Sequence, residues 1–82
     1  MNSDVLVKRI LAELGGATVY LDGADCSFVV EVISNKFEGL GLLSRQRKVL
    51  DLFKAELQSG ALHALSVVAK TPAEHASTLE VP

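Results

Sequence analysis

CSFVVEVIS, residues 26–34, sets the architecture. Phe28, Val30 and Val32 fall on one side of an extended chain, and Val29, Glu31 and Ile33 on the other. That period of two, in a run rich in β-branched residues, predicts a strand from about Cys26 to Ser34. Just upstream, residues 17–22 also alternate: Val19 and Leu21 point one way, Thr18 and Tyr20 the other. Asp22-Gly23-Ala24-Asp25 between them reads as a turn, so the two strands form an antiparallel hairpin.

Downstream, Asn35 to Leu43 reads as a loop with glycines at Gly39 and Gly41, and Ser44 as the N-cap of a helix reaching about Gln58. Val49, Leu50, Phe53 and Leu57 give that helix its apolar stripe, and Gly60 stops it. A third strand runs from about His63 to Lys70, with Leu65, Val67 and Ala69 on one face. Strand, helix and strand form a crossover unit, so the third strand runs parallel to the second with right-handed connectivity. This rule fixes direction but leaves adjacency open.

At the front, Leu6, Val7, Ile10, Leu11 and Leu14 fall at helical spacing, with Ser3 or Asp4 as cap and Gly15-Gly16 as terminator. At the back, Thr71-Pro72-Ala73-Glu74 is a helix start: Thr71 caps, Pro72 suits the first helical position, and Glu74 closes a capping box. Residues 77–82 read as a frayed tail. The expected fold is α/β (α+β), in the order α-β-β-α-β-α, as one domain over residues 1–76. The helices pack on one face of a three-stranded mixed sheet.

The chain has 82 residues, which allows one domain, and 49% apolar against 22% charged residues excludes disorder. A formal net charge of −2 gives no long-range attraction for phosphate backbones, so nucleic-acid binding needs a local basic patch. The one cysteine cannot form an internal disulfide and fits a reducing compartment. No apolar run reaches transmembrane length, and Met1 to Asp4 lacks the start of a signal peptide, so a cytoplasmic location is expected.

Two soft-metal donors stand where predicted strands begin: Cys26, and His63, one of two histidines. With the strands parallel, both emerge at the same end of the sheet. Two ligands cannot close a tetrahedral site, so the pair reads as a half-site that a partner completes. Each also has a plainer reading. A lone cysteine is commonly a small buried hydrophobe, and a strand-entry histidine commonly bonds backbone. Arg45, Arg47 and Lys48 cluster at the start of the second helix, either as a solvated face or as a surface for an acidic partner or anion. Gly39-Leu40-Gly41-Leu42 is a poor match to the Gly-x-x-Gly of nucleic-acid-gripping loops and reads as a loop whose leucines tuck onto the core. No nucleophile–base–acid set, Walker sequence or dinucleotide fingerprint is present, so no enzyme is expected.

From Phe28 onward the chain resembles the BolA family. Phe37-Glu38-Gly39 is similar to the family's Phe-x-Gly loop, and Arg45-Gln46-Arg47 to its Arg-His-Arg helix start. Leu62-His63-Ala64-Leu65 and Thr71-Pro72-Ala73-Glu74 follow in order. The resemblance covers roughly residues 17 to 76, and Cys26 resembles the branch with cysteine before the second strand. Gln46 replaces the middle histidine, and His75 stands where an aromatic residue is common. The resemblance implies a KH-like (type II-like) fold and partnership with a monothiol glutaredoxin. It also implies a [2Fe–2S] cluster held by the glutaredoxin cysteine, a glutathione thiol, Cys26 and His63. Links to transcriptional control and stress response go with the family, and a KH-like nucleic-acid-binding regulator is the alternative.

Overall fold

The computed structural model describes residues 2–79. Its element order is α1 (Ser3–Glu13), β1 (Thr18–Ala24), β2 (Ser27–Ile33), α2 (Leu42–Leu50), α3 (Lys54–Ser59), β3 (Ala64–Lys70) and α4 (Pro72–Leu79). Short 3-10 turns lie at Asn35–Phe37 and Asp51–Phe53. The strands stand in the order β1-β2-β3: β1 and β2 are antiparallel, β2 and β3 parallel. The crossover therefore returns the chain to the strand beside the one it left, which supplies the adjacency that the direction rule leaves open.

The alternation in β2 is realised as read. Phe28, Val30 and Val32 are buried, with Val67 and Ala69 of β3 beside them. Leu6, Ile10 and Leu14 of α1 and Val49 and Phe53 of the second helical region close the same core, and Phe37 and Leu62 are fully enclosed. α4, tied to α2 through Arg45 and Glu74, reaches the other face of the sheet: its His75 ring meets Tyr20, which points away from the core face, at 6.2 Å between centroids. Ile33 is thereby buried on the second face.

Several boundaries differ from the sequence reading, each for a local reason. The Asn2 side chain accepts the Asp4 N–H at 2.7 Å, so Asn2, not Ser3 or Asp4, caps α1. α2 begins at Leu42, because Gly41 is extended and its carbonyl accepts the Arg45 N–H at 3.1 Å; Ser44 lies inside the helix. The helix expected to run to Gln58 is two helices joined by the 3-10 turn. That tighter turn sets Phe53 into the core, while Arg9 of α1 lies 5.1 Å from its ring centre and donates to Leu52 O at 3.0 Å. Arg9 also pairs with Glu56 at 2.7 Å, which lowers the Glu56 pKa and raises that of Arg9.

Gly60, in the left-handed region at φ 84°, ends α3. The capping box forms as read, with Glu74 N–H donating to Thr71 Oγ1 and Thr71 N–H to Glu74 Oε1. α4 includes residues 77–79 of the expected tail; the remainder of that tail lies outside the described residues. Leu40 packs on the core, but Leu42, expected to do the same, is 72% exposed at the rim of the α2–β3 groove.

Candidate functional site

β1 continues through Asp22 and Gly23 to Ala24, opposite Ser27, so the hairpin closes over Asp25 and Cys26 alone. Cys26 is therefore a turn residue, and it is partly exposed. His63 is exposed and directly precedes β3. Ser27 is paired with Ala64 in the parallel ladder, which sets Cys26 and His63 next to one another at its open end. The backbone ties them: Cys26 O accepts the His63 N–H at 2.7 Å and the Ala64 N–H at 3.2 Å. The thiol and imidazole thus belong to residues in direct backbone contact on one rim.

A shallow hollow of about 240 Å³ adjoins this end of the sheet, lined by Asp22, Ser27, Val29, Ala64 and Ser66 among others. It opens on the face that the helices of the core leave uncovered. Among the described residues, no three His, Cys, Asp or Glu side chains gather into a metal-holding group. The donor set fits the two-donor share of a cluster held between proteins: a thiol and an imidazole, the donor types iron accepts, on neighbouring residues of which one is partly exposed and the other exposed.

The basic cluster divides. Arg45 is 7% exposed and turned inward. Its Nε donates to Leu40 O at 2.8 Å, its Nη1 to Ala69 O at 3.4 Å, and its two terminal nitrogens to both carboxylate oxygens of Glu74. Those bonds hold the Glu74 carboxyl at a pKa of about 2, with help from the Thr71 N–H. Arg45 is thus a clamp joining α2, β3 and α4, and it is withdrawn from any surface for anions. Its capacity for this was hidden in the sequence, because a charged residue off the apolar stripe reads as exposed. Arg47 is exposed and Lys48 half-buried. Gln46, which replaces the histidine of the resembled pattern, sits 3.5 Å from Val67 O at the edge of β3.

No helix among the described residues is long and apolar enough to cross a membrane. The chain is 49% identical over 53 residues to SufE-like protein 1, chloroplastic/mitochondrial, of Arabidopsis thaliana, a match covering 65% of this chain and 14% of that protein. It is 44% identical over 68 residues to BolA-like protein 1 of Mus musculus, covering 83% of this chain and 48% of the relative. The chain thus spans half or less of the length of these two relatives. The solved structure of BolA1 from Arabidopsis thaliana superposes with a TM-score of 0.79 at 33% identity, over 90% of this chain and 96% of that one. The family model for BolA-like protein matches residues 11–74, from α1 through the hairpin, the Cys26–His63 rim and the capping box, and the chain belongs to the BolA family.

Proposed function

We propose that this chain is an iron–sulfur accessory protein that docks on a monothiol glutaredoxin and contributes Cys26 and His63 to a shared [2Fe–2S] cluster. The glutaredoxin cysteine and a glutathione thiol are the other two ligands. One observation carries this reading: the thiol and imidazole belong to residues bonded through Cys26 O and His63 N–H at 2.7 Å, on an accessible rim. The thiolate and the neutral imidazole are the forms that donate to iron. When bound, the cluster supplies a redox-active iron centre, and mixed thiolate–imidazole ligation raises its potential relative to all-thiolate ligation.

This chain's own contribution is positional. Cys26 sits on a two-residue turn, and His63 is fixed by the parallel ladder that begins at Ala64. His63 is exposed and Cys26 partly exposed, so a partner can reach the rim that carries them. The protein is an adaptor in this reading, not a catalyst, and it works in a reducing compartment such as the cytoplasm.

The test is reconstitution with a monothiol glutaredoxin, glutathione, ferrous iron and sulfide, followed by visible absorption and circular dichroism. The wild-type mixture is expected to give a dichroic spectrum unlike that of the glutaredoxin alone, and His63→Ala to alter it. An unchanged spectrum for His63→Ala removes His63 from the ligand set.

A further inference from the structure

We infer that Gly23, three residues before the thiol, is the positioning residue of the Cys26–His63 pair; this rests on the ligand reading above. Gly23 lies in β1 opposite Phe28, with φ at 115°, where an L side chain is strained. A Cβ there would stand 2.3 Å from Ser27 O and 2.9 Å from Phe28 Cα. Both obstacles are backbone, so no side-chain rotation relieves them.

The close approach falls on the residues that lead out of the turn. Ser27 follows Cys26 directly and pairs with Ala64 on its other side. Pushing Ser27 away from β1 therefore moves the Cys26 carbonyl against the His63 and Ala64 N–H groups that it accepts. A second observation supports the same device: the Gly23 N–H is taken by the Asp22 side chain at 2.8 Å. Asp25, at φ 58°, then makes the reversal that presents Cys26. The strand thus sets the thiol from a distance, through the backbone of Gly23 and Ser27 and the Asp22 side chain that holds the Gly23 N–H.

Amide hydrogen exchange of the full apo chain reads this directly. In Gly23→Ala, the His63 and Ala64 amides are expected to exchange about tenfold faster, the loss of roughly one backbone hydrogen bond. The Val30 and Val32 amides of the central strand keep their wild-type rates. Gly15→Ala, at a position with no neighbour within 4 Å, behaves as wild type. In the reconstituted glutaredoxin complex, Gly23→Ala loses the His63-dependent dichroism at unchanged helical content.

Unchanged His63 exchange in a folded Gly23→Ala overturns the inference. If that variant does not fold, Asp22→Ala takes its place, and the same two results decide. A wild type that forms no cluster sinks the ligand reading, while the exchange rates still decide whether Gly23 holds the pair together.

Discussion

Arg45 brings a charge into a nearly closed space, and three acceptors meet it: two backbone carbonyls and the Glu74 carboxylate. An unpaired guanidinium there would be costly, so the contact is specific even though Glu74 itself is half exposed. It has a consequence in acid. The Glu74 pKa of about 2 lies below the roughly 4.3 of a free glutamate. A carboxyl lowered on folding contributes stability that is fully present above its unfolded pKa and lost as pH falls through its folded one. Thermal midpoints should therefore decline between about pH 4.5 and pH 2, and Glu74→Gln should flatten that decline. A Glu74→Gln protein with the wild-type slope across this window would assign it to other carboxylates.

The elements tell which features a linear pattern carries. Alternation in β1, β2 and β3, the capping box and the Gly60 stop are local properties, and all were legible in the sequence. The break between α2 and α3 was not, because Val49, Leu50, Phe53 and Leu57 keep a helical spacing straight through it. It arises from a tertiary contact: Phe53 is fully enclosed, with the Arg9 guanidinium against its ring and Arg9 Nη1 donating to Leu52 O. Phe53→Ala should consequently cost about 3–5 kcal/mol in urea unfolding. A loss under about 1 kcal/mol would mean that the 3-10 turn is held by its own backbone. The turn at Asp25 and Cys26 was misplaced by the same limit. Asp22-Gly23-Ala24-Asp25 has turn composition, yet Asp22 and Gly23 remain paired with β2.

Across the whole molecule, the crossover determines what meets what. The candidate ligands are 37 positions apart in sequence and share one backbone hydrogen bond because β3 lands beside β2. Their place at one end of the sheet was legible from strand direction; their contact needed the strand order. The same topology disperses positive charge. Of the three cations expected to gather at the start of α2, the fold turns Arg45 inward and leaves Arg47 and Lys48 on a chain of net charge −2. A regulator that grips DNA here would have two phosphate contacts to offer. Each phosphate neutralised contributes about −0.9 to the slope of log affinity against log salt, so any binding to duplex DNA should show a slope no steeper than about −2. Arg47→Ala should bring it near −1, and Arg45→Met should leave it unchanged in protein that remains folded. A filter-binding titration with a slope of −4 or steeper would require cations beyond this pair, and would restore the nucleic-acid reading that the inward turn of Arg45 weakens.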